Sequence, residues 1–481
     1  MIGDAVTDLV LHRTRAAWLT LGIPIVTALA GVAAIVYWLV AVPEPKLSPR
    51  VPGLDRPLQR RTGTTVKPKL TGTLVRGDGS PSNIPGEWPR FRGPKLDAIW
   101  EDGTVTLARS WDADGPPRVW SIAVGEGFAA AAIRDGRVYL IDYDREKEQD
   151  VVRCLSLDDG RDIWQFRYPN TVKRNHGMSR TIPTVTEKYV VSIGPKCHVT
   201  CLDRTTGESR WLIDMVDRWG TTVPPWYTGQ CPFVDQDCVI LAPGGPEALI
   251  VAVDLETGEE RWRTPNPRNW KMTHSSIIPM ESCGHRMYVY CASGGVVGVD
   301  AATGAILWET AEWKISLATV PSPLPLPGDR IFLCGGYDAG ALMLQLRKEG
   351  EKITPEVLYR LPPQEFGSTQ QTPVFFAGCI FGVREKDKQM VCLDLDGKVR
   401  WSSGSQYRFG LGPYMIANGL LLALDDDGTL TLAEASPEAF KPIARARVLD
   451  GHDCWGPMAI VKGRLIIRSM TEMVCLDLTS P

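Results

Sequence analysis

Side chains able to hold a ligand recur at one kind of place in this chain, a few residues ahead of a proline. His176 and Arg180 precede Pro183, Trp226 and Gln230 precede Pro232, and Trp270 and His274 precede Pro279. Gln370 precedes Pro373, Arg408 precedes Pro413, and His452 with Trp455 precedes Pro457. Three of the six histidines fall in these stretches. Imidazole, guanidinium and amide groups beside aromatic rings can fix a polar ligand on an apolar platform. Aromatic and Arg side chains also anchor protein partners. The plainer use of the same residues is to fill a channel and satisfy backbone groups.

Other reactive groups read as structural. Cys197, His198 and Cys201 stand in the run CHVTC. On a strand the two thiols share one face and the imidazole takes the other, so three metal ligands cannot converge. The run DDDG at 425–428 lacks the spaced carboxylates and distal Glu of a calcium loop and reads as a hairpin turn. The run DYDREKEQD at 142–150 reads as a long solvated hairpin tip. No metal site is expected. Cys154, Cys201, Cys392 and Cys475 occupy equivalent places, where Ala252 and Gly298 stand elsewhere. A small, weakly polar buried side chain fits there. Such thiols lie on different units, beyond the reach of a disulfide.

The elements that must position these residues are repeats. CLDRTTGESRW ends at Trp211, VAVDLETGEERW at Trp262, GVDAATGAILW at Trp308, CLSLDDGRDIW at Trp164 and CLDLDGKVRW at Trp401. From Trp164 the steps are 47, 51 and 46 residues, then 93, which is two periods. A period of 40–50 residues signals a propeller or a solenoid. Each phrase reads strand, turn, strand, with Gly supplying positive φ in the turn. The closing Trp is expected to cover the neighbouring repeat. Trp120, Trp164, Trp211, Trp262, Trp308 and Trp401 are therefore expected to dock blades. Tyr359 stands where one repeat lacks its Trp, and residues 429–448 have lost the phrase altogether.

A second series marks the same period. Pro183, Pro232, Pro279, Pro323, Pro373, Pro413 and Pro457 each fall near the start of another strand. Proline lacks an N–H and belongs at a strand's first residues or on an unpaired edge. With the related run FAAAAIRDGRVYLID at 128–142, the repeats number eight. The chain ends on a third strand, MVCLDL at 473–478, and RVWSI at 118–122 is a fourth strand without a third. Their pairing would close a ring and hide both edges. The fold class is all-β: an eight-bladed β-propeller of four-stranded antiparallel blades.

The Asp-x-x-Thr-Gly-x-x-x-Trp phrase resembles the docking motif of pyrroloquinoline-quinone (PQQ) type eight-bladed propellers. EWPRFRGPKLDAIW at 87–100, VWSIAVGEGFAAAAIRDGRVYLID at 119–142 and THSSIIPM at 273–280 are similar to a planctomycete-type group of PQQ-binding-like proteins. In architecture the chain is also similar to the propeller subunit of the outer-membrane β-barrel assembly machinery, which works without PQQ. A quinoprotein resemblance implies PQQ on the channel axis, Ca²⁺ held by a carboxylate and an amide, an Asp base and often a vicinal disulfide. None of the 12 cysteines is adjacent to another, and no Cys-x-x-Cys-His haem site is present. The calcium ligands and the Asp base have no match among these residues.

The N-terminus is of another kind. Residues 16–42 carry no charge, long enough as a helix to cross a bilayer. Arg13 and Arg15 precede them and orient the N-terminus to the cytoplasm. The organisation expected is a cytoplasmic N-terminus at 1–15, a signal anchor at 16–42, a flexible Pro/Gly/basic linker at 43–86 and the propeller at 87–481, on the extracytoplasmic side of the inner membrane. A cleaved signal peptide is the rival reading of the apolar run. A formal net charge of -3 gives no electrostatic footprint for nucleic acid. The function expected is a non-catalytic binding or scaffold module with a protein partner near the membrane or a small-molecule ligand. The alternatives are a dehydrogenase of alcohols or sugars, with PQQ and Ca²⁺ as cofactors, and a small-molecule or glycan sensor.

Overall fold

The computed structural model describes residues 23–41, 70–112 and 114–479. The expected segment 1–15, most of the linker and the two flanks of the expected anchor lie outside these residues. Ile23–Ala41 is a 19-residue helix without a charged residue. It rises roughly 28 Å against about 30 Å of hydrocarbon. Among the described residues no helix is long and apolar enough to cross a membrane.

The strands of the second compact unit form eight sheets. They are the blades of a propeller: blade 1 at 132–169, blade 2 at 184–214, blade 3 at 233–264, blade 4 at 278–310, blade 5 at 324–361, blade 6 at 374–402, blade 7 at 414–447 and blade 8 at 459–477. The fourth strand of blade 8 is Arg118–Ala123, with Cys475 opposite Trp120 and Met473 opposite Ile122. The ring closes through the pairing of the two ends of the repeat array, as the incomplete repeats require. Packing between neighbours supplies the core: Val191 of blade 2 and Val239 and Val251 of blade 3 share one apolar cluster.

The repeated phrase is the outer hairpin of a blade. Cys154, Cys201, Ala252, Gly298, Cys392 and Cys475 lie directly opposite Trp164, Trp211, Trp262, Trp308, Trp401 and Trp120. The small third-strand residue leaves room for the indole across the pair. In every one of these ladders the register shifts by one residue at the next position. Such a bulge bends and twists the strand. Trp120, Trp211 and Trp401 donate their indole N–H to Leu157, Leu255 and Ser436 of the next blade, at 2.8, 2.9 and 2.9 Å. Tyr359 takes the Trp position opposite Met343, and its hydroxyl donates to Leu395 O at 3.2 Å. Trp308 differs, donating to Met287 Sδ of its own blade at 3.3 Å. The next blade, blade 5, has lost the phrase and extends its outer strands to Gly340–Glu349 and Lys352–Leu361.

Three regions depart from the sequence reading. The linker stops short of 86: Thr73–Arg76 pairs with Asp162–Pro169 on the outer edge of blade 1. Pro279 does not match its six counterparts. It lies within the inner strand Ile278–Ser282, and the place just before that strand is held by Ile277. The run 142–150 is not wholly solvated, for Asp142 and Asp150 are buried at 7% and 0% exposure. Asp142 accepts from the Gly125 and Tyr143 N–H groups and pairs with Arg153, and Asp150 accepts from Asn170 Nδ2 at 2.7 Å.

The lead-in 87–100 crosses the ring. Glu87–Trp88 pairs with the inner strand of blade 1, and Ile99–Trp100 lies parallel to the inner strand of blade 7. Between them Pro89 O accepts from Val185 N of blade 2 at 2.8 Å, and Arg90 reaches Val234 O of blade 3 at 3.2 Å. Arg92 is buried and donates to Thr372 O and Pro373 O at the start of blade 6 at 2.6 and 2.8 Å. One segment therefore ties the inner strands of five blades across the channel.

Candidate functional site

The loops that enter the innermost strands converge, as the repeat geometry demands, on one mouth of the channel. They enclose a cavity of about 340 Å³. Every blade contributes to its wall: Phe128, Arg180, Trp226, His274, Ser322, Gln370, Leu411 and Trp455 come from the entry loops of blades 1 to 8 in order. Phe91 of the crossing segment lines it too, and also lines the small space beneath. Phe91 thus borders both spaces, the upper of which is the well.

Six of the ten residues singled out from sequence line this well: His176, Arg180, Trp226, His274, Gln370 and Trp455. The other four do not. Gln230 is fully buried and turns to its own blade, exchanging hydrogen bonds with the Ala242 backbone. Trp270 is buried against Gly294 and Gly295, held by Asn266. Arg408 is exposed, in an isolated bridge with Gln389. His452 is exposed beside Asp453, at 3.0 Å.

The floor is built by a belt of hydrogen bonds between blades. Ile182 N donates to Cys231 Sγ at 3.3 Å, Cys231 N to Ser276 Oγ at 3.0 Å, Ser276 N to Ser322 Oγ at 3.0 Å, and Ser322 N to Thr372 Oγ1 at 2.8 Å. Each acceptor occupies the residue just ahead of the Pro position of its blade. A proline at the next residue withholds its own N–H, and the preceding N–H is satisfied across the blade gap. Gly412 and Gly456 stand at this place in blades 7 and 8, and the belt ends there. Burial pushes the Cys231 thiol up to about 11, so it is a protonated structural group and not a nucleophile.

The walls are aromatic and held in place. Phe128 stacks on Trp455 with centroids 4.9 Å apart and planes 20° apart. Trp455 donates its indole N–H to Asp426 Oδ1 at 2.7 Å, and the same oxygen accepts from Leu411 N at 2.8 Å. Trp226 faces His274 at 6.4 Å. His176, Trp226, Tyr227 and Tyr337 all have positive φ, between 49° and 72°. L-residues take up this region at a cost, and it recurs where a surface is preorganised for a ligand. Tyr227 is fixed by its hydroxyl, which donates to Lys173 O at 2.7 Å.

The one charged group among the described residues that line the well is a cation. Arg180 grips its own rim loop through four contacts to the carbonyls of Asn175, His176, Gly177 and Met178, the shortest 2.6 Å. Its guanidinium also lies over the Phe128 ring at 5.3 Å. Burial pushes it down to about 10, and it remains a cation. Arg92 and Arg468 hold backbone carbonyls in the same manner, but neither borders this cavity. His274 is pushed down to about 4, by burial first and then by the charge of Arg180, and stays neutral near pH 7. Its Nε2 has no hydrogen-bond partner.

Phe91, Phe128, Tyr337 and Asp426 escaped the sequence reading. Phe128 was within reach, because it stands ahead of the blade 1 inner strand as the other wall residues stand ahead of theirs.

Among the described residues no Asp or Glu lines the well. Two carboxylates are committed to rim backbone: Asp426 to Leu411 N, and Glu385 to the N–H groups of Tyr337 and Asp338. Ca²⁺ requires charged oxygen ligands. Among the described residues no group of three or more His, Cys, Asp or Glu side chains could hold a metal ion. The residues of the well therefore do not fit a calcium–PQQ pair.

Comparison with known proteins agrees with the architecture. The family described as outer membrane protein assembly factor BamB matches residues 147–337. No curated protein matches the chain. Among solved structures, BamB from Moraxella catarrhalis superposes with a TM-score of 0.51 at 15% identity, covering 75% of this chain and 99% of that one. A europium-containing methanol dehydrogenase gives a TM-score of 0.54 at 12% identity, over 80% of this chain and 89% of the other. The computationally designed protein Ika8 gives 0.50 at 12% identity, over 75% of this chain and 100% of the other. An assembly factor, an oxidoreductase and a design share the fold, so the fold alone names no activity. The chain carries an eight-bladed β-propeller built of PQQ-like repeats.

Proposed function

We propose that this protein is a membrane-anchored, extracytoplasmic recognition module that binds a ligand or a protein partner in the channel-face well and performs no redox chemistry. The observation that carries the reading is the well itself: a preorganised aromatic cup, lined by Phe91, with one cation and, among the described residues, no carboxylate. Of the two imidazoles that line it, His274 supplies no strong base, because burial pushes it down to about 4, and Cys231 is a buried, protonated thiol. The similarity to an outer-membrane assembly factor is consistent with a protein-binding role. The anchor is read from the uncharged run 16–42, of which the described helix Ile23–Ala41 is a part, with Leu29, Ile35 and Trp38 exposed. An all-apolar helix needs a core or a membrane to cover it.

The test is a calorimetric titration of the full-length protein in detergent with PQQ, with and without Ca²⁺, followed by a dye-linked oxidation assay with alcohols and sugars. The recognition reading expects no calcium-dependent binding and no dye reduction. Calcium-dependent binding with turnover would make the protein a quinoprotein dehydrogenase.

A further inference from the structure

We propose that the well selects a monocarboxylate carried on an aromatic or branched apolar body, with the carboxylate against Arg180 and the body between Trp226 and the Phe128–Trp455 stack. This rests on the recognition reading above and names the chemistry of its ligand. Four contacts of Arg180 go to carbonyls of its own loop, and its Nε–H makes no hydrogen bond. Among the described residues its cationic charge has no carboxylate partner, whereas Arg153 pairs with both Asp142 and Asp162. A cation on an apolar wall, without a counter-ion, gains most from an anion that brings its own apolar surface.

The floor agrees. Ser276 and Ser322 each accept a backbone N–H of the belt, at 3.0 Å, and Ser322 donates to no protein group. The proton of Ser322 is thus free for an acceptor in the well. The Gln370 side chain lines the well too, and no hydrogen bond to it is formed among the described residues. A cavity of about 340 Å³ at the channel mouth suits the end of a molecule rather than the middle of an extended chain. Two sources offer this chemistry, a free organic acid and the C-terminal residue of a peptide.

The experiment is ligand-observed NMR on the full-length protein with four probes: 3-phenylpropanoate, 3-phenylpropanamide, and a hexapeptide ending in Phe with a free or an amidated terminus. Each acid is expected to bind about tenfold or more tightly than its amide, the effect of one charge-assisted contact. Gln370→Glu places a carboxylate in the well without removing a hydrogen bond. It should abolish acid binding and spare amide binding. Arg180→Gln should erase the difference between acid and amide. A free acid that binds as well as the peptide assigns the site to small metabolites, and a tighter peptide assigns it to protein C-termini. Equal binding of acid and amide, or acid binding untouched by Gln370→Glu, overturns the proposal. Neither result bears on calcium-dependent PQQ binding, so the failure of this proposal and that of the recognition reading are told apart.

Discussion

The indole of Trp211, in blade 2, lies flat against Gly258 of blade 3. Its N–H donates to Leu255 O at 2.9 Å, and a Cβ added at Gly258 would fall 2.9 Å from the ring. Gly207 and Gly304 stand in the same relation to Trp164 and Trp262. Each Thr-Gly turn is thus the socket for the tryptophan of the blade before it, which is why the phrase recurs at the period of the blades.

Gly258 has φ of 72° and meets a rigid ring, so Gly258→Ala should cost roughly 2–4 kcal/mol, strain and overpacking together. Gly350 also has positive φ, at 60°, but nothing lies within 4 Å of its added Cβ. Gly350→Ala should cost about 1 kcal/mol. Denaturant unfolding of the two variants decides the matter, and equal losses would contradict the socket.

Asp150 is wholly buried, and burial raises its carboxyl to about 7, against the opposing hydrogen bond of Asn170 and the charge of Lys196. The folded state then binds a proton that the unfolded state has released. Its contribution to stability is full below the unfolded value of 3.8, declines through the interval and is lost above about 7. Asp150→Asn should therefore raise the thermal midpoint most at about pH 8, less at about pH 5 and hardly at all near about pH 3.5. A stabilisation equal at all these values would place the effect elsewhere.

The architecture was legible in the sequence because it is written eight times, and Tyr359 could be placed in a Trp position by period alone. Pro279 misled because proline is tolerated a residue or two into an edge strand, and Ile277 holds the position the other prolines occupy. The path of Arg90 and Arg92 across the channel carried no local signal, since their partners at Val234, Thr372 and Pro373 are remote in sequence. Asp150 was hidden in a charge run that reads as solvent-facing. Of the site residues, repeat position told which loop each occupies but not its rotamer: Gln230 turns back to Ala242, and His452 turns outward.

Ser322→Ala deprives Ser276 N–H of its acceptor and breaks the belt between blades 4 and 5. An unsatisfied buried donor costs about 1–3 kcal/mol. Amide exchange at Ser276 should accelerate in this variant and be restored in Ser322→Thr. Unchanged exchange would show that the belt does not hold the blades.

Asp426 positions Trp455 and Leu411 through a single oxygen. Asp426→Ala should weaken 3-phenylpropanoate binding several-fold by freeing the indole, while Asp426→Asn keeps an acceptor and most of the affinity. Calorimetry on the two variants checks this, and equal affinities would remove Asp426 from the site.

The central claim is that the channel-face well is where this protein recognises its ligand. The most direct measurement is a crystallographic fragment screen with aromatic acids and their neutral isosteres. Density for fragments between Trp226 and Trp455, with acids oriented toward Arg180, is the predicted result. Fragments that bind elsewhere on the ring and leave the well empty would contradict it.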